Sequence, residues 1–499
     1  MGFIENIAKR FGFVRPPQKR GYNAATVNRL TFDWAVSIKS ADADIRYSLS
    51  RLRARSRELA MNNDYARKYL GMCVTNIVGP AGITFQNKVK DPGGVLDKNV
   101  NNSVETAFDE WAKKGSASVC GKLSWIDIQR LVIQSVARDG EVLVRKVRGA
   151  GNKYRFALQV IEADLLDENY NLDLGNGNQI RMGVESDKWG RPVAYHVFKN
   201  HPGDYMHGTT YDIGRYERIP AEDMVHLFDT VRPGQSRGVP WMHSAMTRLN
   251  MLGGYEEAEL VAARVGASKM GFFTKNGEGN YDTSAGAGSD EMLVEAEPGT
   301  FETLPEGMDF KPWDPTHPAG NFPFFLKAML RGVASGLGVA YNSLASDLES
   351  VNYSSIRAGS IEERDNWRIR QGWFIEQFCQ PVFEGWLDAA LINGLLGGAK
   401  PLPYSKFDKF NAPSWKVRGW EWVDPLKDMK ANIEAVNSGM ATRTQILAEQ
   451  GLDIEQVFEE LAAEKKLATE NGLDFTVTKP IANDMTTQTL QQDGGDQNG

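Results

Sequence analysis

Gly234-Gln235-Ser236-Arg237-Gly238 fits the pattern G-x-S-x-G, the turn on which serine hydrolases expose their nucleophile. That chemistry needs a strand running straight into the first glycine and a helix starting directly after the serine. It also needs an acid and then a histidine downstream. Here Pro233 precedes the motif and Val239-Pro240 delays the helix. Downstream, only His243 and His317 can serve as base, with Asp309 or Asp314 as acid beside His317. No oxyanion loop is recognisable upstream. The residue pattern favours a loop serine, with hydrolysis through Ser236 as the competing reading.

Other reactive constellations fare no better. A phosphate-cradling G-x-x-x-x-G-K-[ST] loop is missing, since the nearest text, Gly115 to Leu123, has five residues between its glycines and Leu after Lys122. H-E-x-x-H, an EF-hand loop and G-x-G-x-x-G are also missing. His196, His201, His207 and His226 lack ligand spacing, and Cys73, Cys120 and Cys379 lie far apart, which argues against structural zinc. The sequence assigns no catalytic residue, metal ligand or cofactor. The sparse cysteines suit a reducing compartment.

The elements that would position any site come from the bulk pattern. With 499 residues, 41% apolar and twelve tryptophans, the chain can bury substantial cores; about 150 residues per domain gives roughly three domains. The net charge of −7 is unlike that of a protein gripping nucleic acid by its phosphates. No apolar run is long enough for a membrane span. Phe3, Ile7 and Phe11 fall on one face of a docking helix, and Asn6 stands where myristoylation prefers Ser or Thr.

Residues 44–79 read as two helices with an apolar face of Ile45, Leu49, Leu52 and Leu59. Arg51, Arg53, Arg55 and Arg57 lie mostly off it and read as a solvated side; nucleic acid or an acidic partner is the alternative. A helix over 124–139 turns at Asp139-Gly140 into the strand EVLVRKV, and β-rich pieces continue to about 230, giving an α+β fold class. A helix is expected from Pro240 to about Gly266 and another from Phe322 to Gly338. Between them, residues 276–310 carry nine acids and no Lys or Arg. A third helix, about Ile356–Leu395, should bury Trp367, Phe374, Phe378, Val382 and Trp386 and kink at Pro381. Residues 400–424 look extended, and helices follow at 425–448 and 453–468. The polar tail beyond Lys479 reads as disordered.

From about residue 60 to 475 the chain resembles the lambda-type portal proteins of tailed bacteriophages. The carriers, in order, are NNDYARKYLGMCVTNIVGPAGI, WGRPVAYHVF, DTVRPGQSRGVPW, PEGMDFKPWDPTHPAGNFPFFLKAMLRGVASGLGVAYNSLASDLESVNYSSIRAG, EERDNWRIRQGWFIEQFCQPVFEGWL and WVDPLKDMKANIEAVNSGMATRTQILAEQG. The resemblance implies a portal fold. Residues 1–239 would be an N-terminal arm and α/β wing, 240–268 and 319–340 two long stem helices, and 269–318 a small clip. A tunnel loop would fill 341–356, a kinked tunnel helix with a return to the wing 357–424, a helical crown 425–478 and a disordered tail 479–499. RPGQSRGVPW then becomes the turn from wing into stem, with Gly234 and Gly238 permitting it and Pro240 starting the helix.

The resemblance also implies a non-enzymatic ring of about twelve copies at a capsid vertex, through which double-stranded DNA is packaged and ejected. Its partners would be the terminase large subunit, the major capsid and scaffolding proteins, and head-tail connector proteins, with no membrane. The DNA channel would be lined by Lys327 and Arg331, one helical turn apart, and by Ser346, Asp347, Ser350, Asn352 and Ser354 of the tunnel loop. Salt bridges from Lys327 and Arg331 to acids such as Glu256, Glu257 and Glu259 between subunits are the alternative. Asp290, Glu291, Glu295, Glu297 and Glu302 would face terminase or adaptor. A shell or scaffolding protein without an axial pore is the remaining reading.

Overall fold

The computed structural model describes Ala25, Arg29 and residues 32–473, apart from 176, 205–214, 268–270, 276–307, 313–321, 350–352, 421–424, 451 and 453. Three helices open the described part: α1 (Ala41–Arg46), α2 (Leu49–Asn62) and α3 (Asp64–Ile77). Two were expected. Ser40 caps the start of α1 by accepting from Ala43 N, a turn at Tyr47-Ser48 separates α1 from α2, and Asn63 caps α3 by accepting from Ala66 N. Leu49 and Leu59 are buried as expected, but so is Arg53, which is no part of a solvated face.

Strand β1 (Thr84–Asn87) and α4 (Lys98–Trp111) lead to α5 (Trp125–Asp139). Ser124 and Asp127 form a reciprocal cap at the start of α5, and Gly140 ends it at φ 92°. Next come β2 (Glu141–Arg148) and β3 (Phe156–Ile161). A five-stranded antiparallel meander follows, β4 (Leu172–Asp173), β5 (Gln179–Arg181), β6 (Val184–Ser186), β7 (Pro192–Phe198) and β8 (Tyr216–Pro220). Strand β9 (Met224–Phe228) returns to pair with β2, giving the sheet order β3-β2-β9.

Helix α6 (Met246–Ala267) starts six residues later than expected. Residues 241–245 instead form tight turns, with His243 N donating to Pro240 O and Ala245 N to Met242 O. Buried Trp241 and Met242 hold these turns against the core. A two-stranded ladder, β10 (Gly271–Lys275) with β11 (Met308–Pro312), stands at the base of the insert. The acids Asp290, Glu291, Glu295, Glu297 and Glu302 lie outside the described residues.

Helix α7 (Phe322–Leu337) matches its expected range. A short α8 (Tyr341–Ala345) occupies part of the expected loop, and α9 (Tyr353–Phe374) begins earlier than expected. In place of the kink expected at Pro381, the winding changes just before the proline. A π-helical turn over Ile375–Cys379, with Gln380 N donating to Ile375 O, joins α9 to α10 (Gln380–Ile392). The wider turn accommodates a ring that cannot donate and would clash with the turn before it. The expected stripe is buried: Trp367, Phe374, Phe378, Val382 and Trp386 all enter the main core. There Trp125 stacks on Phe378, while Trp386 meets Phe108 edge-on at 5.0 Å.

The segment 400–424 is not simply extended; it holds α11 (Phe407–Phe410) and β12 (Pro413–Lys416), which pairs with β1. The C-terminal helices are α12 (Pro425–Asn437), α13 (Arg443–Glu449) and α14 (Ile454–Glu470). Gly439, at φ 74°, and the reciprocal Thr442/Gln445 cap break what the sequence suggested was one helix over 425–448.

Candidate functional site

The turn 229–240 is the junction between the β-rich part and the helix pair. Gln235, Ser236, Arg237 and Gly238 of the G-x-S-x-G match each have a structural task, and Gly234 takes a left-handed φ of 75°. Gln235 Oε1 accepts from Val231 N at 3.0 Å and Arg232 N at 3.2 Å, and its Nε2 donates to Arg237 O at 2.7 Å. Ser236 donates to Asp42 twice, from N and from Oγ, at 2.8 Å each. Among the described residues no histidine bonds to that hydroxyl, whose partner is the Asp42 carboxylate; His317 lies outside the described residues. The expected result with a fluorophosphonate probe is no labelling, and Ser236→Ala should change none; labelling that disappears with Ser236→Ala would reverse this reading.

Arg237 and Glu141 anchor the turn in the interior, both fully buried. Arg237 Nε donates to Glu141 Oε1 at 2.8 Å, and Gly238 N donates to Oε2 at 3.0 Å. Arg53 of α2 bonds to the same carboxylate, and His226 Nε2 lies 2.9 Å from Oε2. Arg237 Nη1 and Nη2 reach the carbonyls of Met182 and Ala163. Burial works to raise the Glu141 carboxyl, but Arg237, Arg53 and His226 outweigh it and hold it well below the usual range. One carboxylate thus ties α2, β9 and the turn together, and Arg237 extends the link to the meander.

The paired helices approach closely at their root. Ser244 Oγ donates to Gly336 O at 2.9 Å, and a Cβ on Gly332 would fall 1.9 Å from Arg248 Nη1. Gly332 and Gly336, one turn apart on α7, admit the start of α6. Further along, Tyr255 meets Phe325 edge-on at 5.1 Å. Other faces of the pair leave Met251, Leu260, Val261 and Phe324 exposed.

Beyond α7 the chain folds back on this pair. Lys327 Nζ lies 3.0 Å from Asp347 Oδ2, which also accepts from the Tyr341 hydroxyl at 2.7 Å. The Arg331 guanidinium sits 5.6 Å from the Tyr341 ring centre, and Lys68 Nζ donates to Ser346 Oγ at 3.4 Å. Ser346 takes a left-handed φ of 54° to close α8. Lys327, Arg331, Ser346 and Asp347 therefore come together. Within the chain, the acids beside Lys327 are Asp347 and, at 3.8 Å, Glu349. Glu256 accepts from Tyr65 instead, at 3.2 Å. Ser350 and Asn352 lie outside the described residues; Ser354 is in the first turn of α9.

Hydrogen bonds from Tyr341 and Lys327 draw the Asp347 carboxyl down to about 2. A depressed carboxylate contributes above its unfolded value and loses that contribution as pH falls through the folded one. This latch should hold at every pH above about 3. Asp347→Asn should change overall stability little, because the pair is at the surface. Amide exchange around Glu349, whose N donates to Asp347 Oδ1, should accelerate by about ten-fold. Unchanged exchange would mean that the loop is held otherwise.

Sequence reasoning missed a second convergence. The guanidiniums of Arg364, Arg368 and Arg418 each lie within 6 Å of the Trp420 ring centre, at 5.9, 5.8 and 5.9 Å. Arg364 and Arg368 are one turn apart in sequence, but Arg418 arrives only through the fold. A third group, Glu162, Asp164 and His201, brings its ligand atoms within 4.8 Å of one another. Asp164 is already engaged by Arg53 and Arg57, so little of its charge is left for a cation.

Over residues 28–371 the chain matches the family described as phage portal protein, lambda family. It is 37% identical over 454 residues to the probable portal protein of Halomonas phage phiHAP-1, covering 90% of this chain and 86% of that one. To portal protein B of Escherichia phage lambda it is 22% identical over 478 residues, covering 85% of each. Among solved structures, a chain from the neck of an empty GTA particle aligns at 12% identity and a TM-score of 0.42, covering 85% of this chain and 98% of that one. A chain from the neck of a native GTA particle aligns at 13% identity and a TM-score of 0.41, covering 82% and 93%. These structural likenesses are too loose to bear on the assignment. The family match spans more than half of the sequence, and the Halomonas phage relative matches nearly all of it: the chain belongs to the lambda family of phage portal proteins.

Proposed function

We propose that, as a phage portal protein, this chain closes with about eleven further copies into a ring at one capsid vertex. Double-stranded DNA passes through its axis during packaging and ejection and is not chemically altered. In this reading residues 1–239 form the arm and wing, 240–268 and 319–340 the stem, 269–318 the clip, 341–356 the tunnel loop, 357–424 the tunnel helix and its return, and 425–478 the crown. The terminase large subunit, and later head-tail connector proteins, dock on the clip, where Asp290, Glu291, Glu295, Glu297 and Glu302 offer negative charge to basic surfaces. Major capsid and scaffolding proteins surround the wing. Assembly takes place in the host cytoplasm, and the ring stays in the virion.

The observation that carries this reading is the helix pair α6/α7. Its exposed Met251, Leu260, Val261 and Phe324 need neighbours, and copies of the same chain supply them when heterologous contacts close. The latch fits a conduit. Each phosphate neutralised by a cation adds a salt-dependent grip, and Lys327 spends its charge on Asp347. Sliding DNA therefore meets Arg331, Ser346, Ser350, Asn352 and Ser354 with the lysine and aspartate already paired.

Imaging purified protein along the ring axis, together with native mass measurement, tests the proposal. Closed rings with a central hole are expected. A single-chain species that persists at high concentration would sink it.

A further inference from the structure

Residues 32–40 read FDWAVSIKS. Phe32, Trp34, Val36 and Ile38 alternate with small or polar residues, the pattern of a strand with one face covered. Among the described residues, none covers this segment. Residues 32–34 form a turn and bend, residues 35–40 belong to no helix or strand, and the four apolar side chains are 74%, 61%, 84% and 102% exposed. Scattered exposed apolar residues are ordinary, but a contiguous set of this size marks an interaction surface.

The root of the segment is fixed. Arg232 Nη2 donates to Lys39 O at 2.9 Å, and Nη1 lies 2.6 Å from Asp44 Oδ2. Asp42, buried at the start of α1, accepts both bonds from Ser236. The segment is therefore fastened to the turn that leads into the helix pair, and it departs from there with its apolar residues uncovered. A Phe or Trp buries about 150–250 Å². With Val and Ile added, the set would bury about 600 Å², most of the roughly 800 Å² that one partner contributes to a stable interface.

We propose that residues 32–40 are a strap that lies on a second copy of this chain and couples neighbours at the base of the stem. The inference rests on the ring reading above and continues the same interface, since the strap is rooted where the exposed stem pair begins. Its alternation suits pairing with an open strand edge on the neighbour, in the manner of strand addition.

The test uses the full-length protein as assembled rings and as dissociated chains, with Trp34→Ser/Ile38→Ser as the variant. Amide exchange over residues 32–40 should be at least about ten-fold slower in wild-type rings than in dissociated chains. The double variant should melt with the dissociated wild type, because both residues are exposed there, yet need at least about ten-fold more protein to form rings. Rings forming at the same concentration, with residues 32–40 exchanging freely in the wild type, would overturn the strap and leave the ring reading intact. Slow exchange already present in dissociated chains would overturn it too, as would protection that appears only when another virion protein is added. Wild-type protein that forms no rings at all would remove the ring reading and the strap together.

Discussion

Glu141→Ala should lower stability by about 3–5 kcal/mol, the cost of leaving buried cations without their partner. Arg237 and Arg53 both face that carboxylate and neither reaches solvent. Gly238 N would also lose its acceptor. The damage reaches several elements at once, because α2, β9 and the turn share one anchor. Calorimetry should therefore show a lower and broader transition, and amide exchange around residues 226–240 should accelerate. Glu141→Gln keeps the shape and one acceptor and should fall between. The pH dependence follows from the sign of the shift. The folded carboxyl lies well below its ordinary 4.5, so its contribution is complete above that value and fades only as pH falls through the depressed one. The deficit of Glu141→Ala should be constant from pH 8 to about pH 5 and shrink in stronger acid. A variant as stable as the wild type at neutral pH would mean that the cluster does not anchor the turn.

Gly238→Val should be at least as damaging. A Cβ at that position would fall 2.1 Å from Gly140 O and 2.5 Å from Phe228 Cβ. Gly140 has little room to yield, since even a Cβ added to it would meet Val239 C at 2.3 Å, and its φ is 92°. The two backbones touch where α5 ends and the turn to α6 begins. Ordinary overpacking costs about 1–3 kcal/mol; a clash with fixed backbone exceeds what rotamer changes relieve. Soluble yield and ring formation should both fall sharply. Pro240→Leu should cost much less, because Pro240 opens a series of turns and not the first turn of α6. Normal rings that package DNA from the Gly238→Val chain would refute this account of the junction.

Much of this arrangement was legible in the residues, where a signal repeats locally. The spacing of Trp367 with Phe374 and of Val382 with Trp386, the cap and glycine that bound α5, and the extent of α7 each follow from spacing within one element. Arg53 was misread because its partner Glu141 lies far along the chain and nothing near Arg53 announces burial. Strands β4–β6 span two or three residues each, too few to establish a period. The late start of α6 depends on tertiary burial of Trp241 and Met242, which overrides the preference of proline for a helix start. At the candidate site, the one-turn spacing of Lys327 and Arg331 was visible. Their engagement with Asp347 and Tyr341 was not, because it needs the chain to reverse after Leu337.

The π turn before Pro381 has a consequence for phase. Trp367 and Trp386 are nineteen positions apart, while five complete α-turns take eighteen residues. In an uninterrupted α-helix the two indoles would point about 100° apart; the surplus residue absorbed at Ile375–Cys379 keeps both facing inward. Length and proline are therefore coupled. Dropping one residue there restores regular winding with both indoles inward only if Pro381 is also replaced, because its ring needs the wider turn.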